Sequence, residues 1–394
     1  VVVAAINHHR LTSQIRLAGI ILALTILAPV ALAANLPKDR SDVLYHSYDG
    51  GGIQINGPSV LVRKNIKNKV SLYGNYYVDQ VSSASIDVIT SGASAYEEER
   101  TEYSLGADYL YDKVIISISG AQSTENDYEA STASFDISQE FFGDMTTLSL
   151  GYTHGDDTVS EKGNESFEAE LSRRRFRLGI NQILTPKWML GLSAEAVSEQ
   201  GFLNNPYRFV HYLNSDGSAG SQKERYPSTR NSDAIALRTI YRLPNRASIR
   251  GEVRNTSDNW AIKANNFELR YLQRYKEQWT LQASIRSYNQ SQANFYSDLF
   301  EYSNAQEFLA RDKEMSKYSS LTLGLGVYYE VERKWWSHID RTTINLQIDH
   351  MRFDYKNFRN ATGRLDGSSA YSPGEEPLYS LKANVIRFFV SVFY

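Results

Sequence analysis

The chain has 394 residues and no cysteine, which excludes disulfides, thiolate metal sites, haem attachment and a lipid-modified N-terminal cysteine. A formal net charge of −3 excludes a basic field for nucleic acid, and 42% hydrophobic content excludes wholesale disorder. With 27 Tyr and 16 Phe against 4 Met, the aromatic weight suits pleated sheets and membrane–water boundaries.

Arg10 and Arg16 precede the apolar run Leu17–Val30, and Ala31-Leu32-Ala33 supplies small residues for cleavage. This pattern predicts a secretory signal peptide over residues 1–33. No later stretch approaches the roughly 20 apolar residues of a membrane helix.

Beyond the signal the dominant period is two, as in strands with one apolar face. Tyr103, Leu105, Ala107 and Tyr109 form one row, opposite Glu102, Ser104, Gly106 and Asp108. Trp188, Leu190, Leu192, Ala194 and Ala196 make another. So do Leu321, Leu323, Leu325, Val327 and Tyr329, then Ile344, Leu346 and Ile348. Each run is about ten residues, the length of a tilted transmembrane strand.

Sixteen strands are predicted near 43–48, 53–62, 69–80, 99–110, 113–122, 129–141, 145–154, 168–182, 187–199, 233–243, 247–257, 260–272, 279–289, 317–330, 342–355 and 380–394. Connections alternate short and long, except Asp49–Gly52 and Ser257–Asn259, which are brief where long ones are expected, and aromatics gather at the short ones: Tyr109, Tyr111, Phe141, Phe142, Trp188, Tyr241, Trp279, Trp335 and Trp336. The fold class is therefore all-β: one antiparallel up-and-down transmembrane barrel over residues 34–394, with short periplasmic turns and long outer loops. Its expected location is the outer membrane of a Gram-negative cell. Outer-membrane lipid is one expected partner. The barrel-assembly machinery is another, reached through the alternating final row Ile386, Phe388, Val390, Val392 and Tyr394.

Charged candidates lie on the polar rows. Arg173, Arg175 and Arg177 alternate with Arg174, Phe176 and Leu178, so the three odd-numbered Arg face the lumen. They form either a basic strip that attracts anions or a ladder paired with lumenal acids such as Glu102, Asp108, Glu195 and Glu252. Small lumenal residues such as Gly106, Gly324 and Gly326 are expected to leave space. The first long loop with its strand ends, rich in small residues, is the candidate constriction: Asp79, Ser82, Ser85, Asp87, Tyr96, Glu97, Glu99 and Arg100. Its acids could oppose the Arg strip, form a solvated rim, or hold a cation. His154-Gly155-Asp156-Asp157 reads as a polar turn. Asn204–Arg208 reads as a surface-ligand site or as a turn whose Arg pins the longest loop. No catalytic or cofactor motif is present and His46, His154, His211, His338 and His350 are scattered, so neither enzymatic activity nor a cofactor is expected.

Several segments resemble the bacterial family called domain of unknown function 3570: Asp79–Val88, Ala93–Arg100, Glu125–Tyr128, Gly201–Arg208, Tyr226–Arg230, Ser257–Trp260 and Gln290–Tyr296. Ala95 departs from the pattern, where Pro is expected. The resemblance implies an outer-membrane barrel without an assigned activity. Genes of its members tend to lie near those of thioredoxin-like and flavin-attaching proteins, which implies a redox-linked setting. Two functions follow as expectations: a porin-like or partner-gated conduit, or a closed barrel acting as scaffold or receptor for exported periplasmic or surface partners.

Overall fold

The computed structural model describes residues 35–83, 96–331 and 338–394. The predicted signal over 1–33, together with Ser85, Asp87, Trp335 and Trp336, lies outside these residues. The strands are β1 (Arg40–Gly50), β2 (Ile53–Ile66), β3 (Val70–Ser83), β4 (Tyr96–Tyr111), β5 (Val114–Thr124), β6 (Tyr128–Phe141), β7 (Thr146–Ser160), β8 (Glu168–Thr185) and β9 (Trp188–Gly201). A short hairpin follows, β10 (Phe209–Leu213) and β11 (Ala219–Lys223). Then come β12 (Thr229–Arg242), β13 (Ala247–Asp258), β14 (Lys263–Tyr275), β15 (Trp279–Gln290), β16 (Tyr318–Val331), β17 (Arg341–Arg359) and β18 (Leu378–Phe393).

Sixteen of these close into one antiparallel barrel in chain order, with β10–β11 set apart as a two-stranded sheet. Closure runs from Arg40 opposite Phe393 to Gly50 opposite Ala383. The first strand is longer than its alternation alone predicts, because it pairs along its whole length with both β18 and β2. Strand β7 also extends beyond its predicted end. His154–Asp157, expected as a turn, stays in register with β6 out to Tyr128 opposite Val159.

Alternation settles which side each residue faces. Leu105, Leu325 and Ile235 are 72%, 67% and 58% exposed on the outer surface, within a belt that includes Phe135, Leu150, Phe176, Leu237, Leu323, Ile348 and Phe388. A continuous apolar belt of this kind would drive aggregation in water and matches hydrocarbon. Beside the short turns, Tyr109, Tyr111, Phe142, Trp188, Tyr241, Tyr275 and Trp279 are exposed as a girdle. One of these turns places Lys67 and Asn68 both at φ 53, a twist that suits tight hairpins.

The buried hydrophobic cores lie at the long-loop end. One joins Trp260, Ile262, Ala293, Phe295, Tyr296, Ala310, Tyr355 and Phe358. A second joins Val210, Phe300 and Leu309.

Candidate functional site

The inner wall is charged and locally paired. Arg173, Arg175 and Arg177 sit on the inner row of β8, since Phe176, Leu178 and Ile180 fill the outer row. Arg173 Nε donates to Glu199 at 2.8 Å and its guanidinium lies 3.9 Å from Asp157. Arg175 lies 4.0 Å from Glu195, which accepts a closer 2.8 Å bond from Arg254. Arg177 donates to Asp136 at 2.8 Å. Asp108 takes Arg63 and, at 2.6 Å, Ser117 Oγ. Glu102 accepts from Arg100 at 2.9 Å. Glu252 is bound by Arg238 at 2.5 Å. Each of these contacts stays within one strand or joins a strand to its neighbour or next neighbour, so the charge runs along the wall and does not bridge the lumen.

The glycines expected to leave lumenal space do something else. A Cβ on Gly106 would fall 2.3 Å from the Tyr73 ring, and one on Gly324 would fall 2.3 Å from Asp349 Oδ1. These positions let larger neighbours lie flat along the wall.

The candidate constriction residues divide. Asp79 lies on the inner row of β3, 2.7 Å from His46 Nε2, and His46 stacks on Tyr77 with ring centroids 5.1 Å apart. Arg100 is also on an inner row and reaches Ser123 Oγ at 2.9 Å. Ser82 and Glu99 are exposed on the outer rows of β3 and β4, because alternation turns them away from the lumen. Tyr96 and Glu97 open β4. Among the described residues, the 3-10 turn Lys313–Met315 between β15 and β16 lines the lumenal space, as does Gly51 of the β1–β2 turn. The 3-10 turn is anchored by Gln290 Nε2, which donates to the Glu314 and Ser316 carbonyls at 2.8 Å. Below it lies a cavity of about 820 Å³, lined by inner-row residues including Arg175, Glu195, Arg230, Ser232, Thr256 and Glu268.

Above the cavity, the connections 202–228, 291–317 and 360–377 pack into a cap. The backbones interlock: Phe300 N–H donates to His211 O at 2.8 Å, and Arg225 and Leu309 exchange bonds of 2.9 and 2.7 Å. At the centre Arg364 is fully buried. It holds Glu376 with two bonds of 2.6 and 2.7 Å, Asp298 Oδ2 at 2.7 Å and the Asp298 carbonyl at 2.9 Å. Its remaining reach, to His211 Nδ1 at 3.4 Å, places that nitrogen as the acceptor. Arg311 joins Asp298 to the Arg359 carbonyl. Glu224 receives the Arg311 and Asp312 N–H groups at 2.6 and 2.8 Å and the Tyr226 hydroxyl at 2.9 Å. Burial pushes the Glu376 carboxyl up, but the bonds from Arg364 and the backbone N–H groups outweigh it and hold its pKa below the ordinary value.

Four of the segments singled out by family resemblance, Gly201–Arg208, Tyr226–Arg230, Ser257–Trp260 and Gln290–Tyr296, build or border this cap. Tyr226 packs edge-on against Trp260, which packs edge-on against Phe295. Trp260 Nε1 donates to Thr229 O at 3.0 Å, while Arg230 stacks over the Trp260 ring and bonds Asp258 at 2.7 Å. Asn204–Arg208 is a turn, closed by Tyr207 N–H on Asn205 Oδ1 at 2.8 Å, and its Arg208 pairs with Asp312. Tyr207 reaches past the β7–β8 connection and donates to Asp127 of the β5–β6 turn at 2.5 Å. Burial and that bond push its pKa up to about 12. Beside this tether the carboxylates of Glu98, Glu125 and Asp127 lie within 4.8 Å of one another, the one such group among the described residues. Arg100, 3.7 Å from Glu125, and Tyr207 already offset part of its charge. The sequence marked these residues as motifs; their packing joins segments too far apart in the chain for spacing to reveal it.

Several solved structures align with this chain at low identity. A bacterial polysaccharide outer membrane secretin aligns over 91% of this chain and 100% of its own, with 8% identity and a TM-score of 0.48. CdiB from Acinetobacter baumannii aligns over 90% of this chain and 60% of its own, with 8% identity and a TM-score of 0.48. The siderophore receptor PirA from Pseudomonas aeruginosa aligns over 82% of this chain, at 10% identity and a TM-score of 0.42, and this chain spans 60% of that receptor. No curated protein matches the chain in sequence. The family model described as protein of unknown function (DUF3570) matches residues 87–177 and 172–378, and the chain, an outer-membrane-type barrel, belongs to that family.

Proposed function

We propose that the protein is an outer-membrane conduit whose lumen opens toward the periplasm and is gated at its outer end by the cap. The observation that carries this reading is the cavity of about 820 Å³ directly beneath Lys313–Met315. A barrel of this strand number encloses an aqueous channel unless its loops fill it. Here the wall side chains pair along the wall and leave that space, while three loops cover its outer end. The cap is tied together by fully desolvated ion pairs, which break only when something else satisfies them. A partner or cargo that displaces the cap is therefore the natural opener.

Conductance of the purified protein in planar bilayers tests this. The intact protein is expected to conduct weakly or in brief events, and Glu376→Gln, which removes one of the two carboxylates holding Arg364, to give larger and longer openings. Steady full conductance from the intact protein would make it an open porin. Silence from both proteins would favour a closed scaffold instead.

A further inference from the structure

The outer rows of β16–β18 change character abruptly at the loop end of the apolar belt. Along β17 the outward residues run Ile344, Leu346, Ile348, His350 and then Arg352. Arg352 stands directly opposite Lys382 of β18, and both are exposed. Further out, Lys356 N–H donates to Lys317 O at 2.8 Å, which brings two more exposed lysines side by side. The two cation pairs are separated by four strand residues, about 13 Å at the rise of a strand. None of Lys317, Lys356 and Lys382 has an ion-pair partner among the described residues. Asp354 lies between the two cation pairs on the same outer row, where Arg352 holds it at 3.0 Å, and Asp49 on β1 borders the patch.

The opposite side of the barrel has the reverse charge at the same level. Glu99, Glu129, Asp156, Glu168 and Glu170 are exposed on the outer rows of β4 and β6–β8, with Arg174 and His154 among them. His154 is 2.9 Å from Asp156. A uniform solvated rim would carry mixed charge all round; this one is polarised.

We propose that the β16–β18 face binds a phosphorylated glycolipid of the outer leaflet, with the Arg352–Lys382 and Lys317–Lys356 pairs each taking one headgroup phosphate and the apolar rows below taking its acyl chains. The inference rests on the outer-membrane location proposed above and not on the conduit. Cations placed where the apolar belt ends lie at headgroup depth, and ammonium and guanidinium groups bind phosphate oxygens by charge-assisted bonds.

The test is lipid retention by the full-length barrel, measured by native mass spectrometry after reconstitution with bisphosphorylated lipid A, dephosphorylated lipid A or phosphatidylglycerol. The barrel is expected to retain the bisphosphorylated lipid in preference to the other two. Lys317→Gln, Lys356→Gln and Lys382→Gln together are expected to lower that retention at least tenfold. The three corresponding Lys→Arg changes should leave it unchanged, as should Glu129→Gln with Glu168→Gln and Glu170→Gln. Equal retention by the Gln variant, equal retention of dephosphorylated lipid, or equal competition by phosphatidylglycerol would each overturn the proposal. A heat-dependent shift in gel mobility reports that every variant still forms the barrel. If the Gln variant does not, loss of binding in the Arg variant overturns the proposal in its place.

Discussion

The wall and the cap both hold arginine–carboxylate pairs, under opposite conditions. In the wall, Arg177 and Asp136 remain 45% and 41% exposed to the lumen, whereas Arg364 and Glu376 in the cap are 0% and 1% exposed. A solvated pair contributes little and is replaceable, while a desolvated one is rigid because breaking it strands a charge. On the proposed gating, the barrel carries an adjustable lining beneath a cap that serves as the latch.

The comparison breaks most readily at Arg364. Arg364→Ala leaves the buried Glu376 without its counter-ion and Asp298 with Arg311 alone, and is expected to destabilise the cap by about 3–5 kcal/mol. Amide exchange should then rise across 291–317 and 360–377 while the barrel strands stay protected. Exchange that rises equally in β8 and β9 would show that cap and wall are one cooperative unit.

Acid probes the same latch. Because the folded Glu376 carboxyl is held below its ordinary value of 4.5, its stabilisation is complete above that value and fades as pH falls through the depressed one. Cap exchange should accelerate on acidification below that point. Glu376→Gln should remove much of the pH dependence; a profile unchanged by the substitution would place the titration elsewhere.

Packing gives a smaller effect. Val210, fully buried against Phe300 and Leu309, loses two methyl groups in Val210→Ala, a cost of about 2 kcal/mol to the cap. The smallest effect is expected in the wall, where Arg177→Gln should shift barrel stability by no more than about 1 kcal/mol. Its consequence should instead be a change in ion selectivity, read as a shift in reversal potential once the Glu376→Gln background conducts.

The barrel was legible in the sequence because its information is local. Leu321–Tyr329 alternates within one strand, and Trp188 or Tyr241 marks a turn by its immediate neighbours. Inner and outer rows followed from the same period, which placed Arg173, Arg175 and Arg177 on the lumenal side. The cap was not legible, because its information is non-local: Arg364 meets Asp298 66 residues away and His211 153 residues away. The β10–β11 hairpin was hidden for a related reason, since its strands Phe209–Leu213 and Ala219–Lys223 are too short for alternation to register. Gly106 and Gly324 misled because a small residue implies space only if no neighbour fills it, and Tyr73 and Asp349 do.

The chain has no cysteine, so a single Thr256→Cys on the inner row of β13, in the cavity wall, reports access to the lumen without interference. With the barrel inserted in one orientation, a membrane-impermeant thiol reagent should label this site from the periplasmic side and not from the outside. Adding Glu376→Gln should open it to both. Rapid labelling from the outside in the otherwise intact protein, or no labelling from either side, would contradict a water-filled lumen shut by its cap.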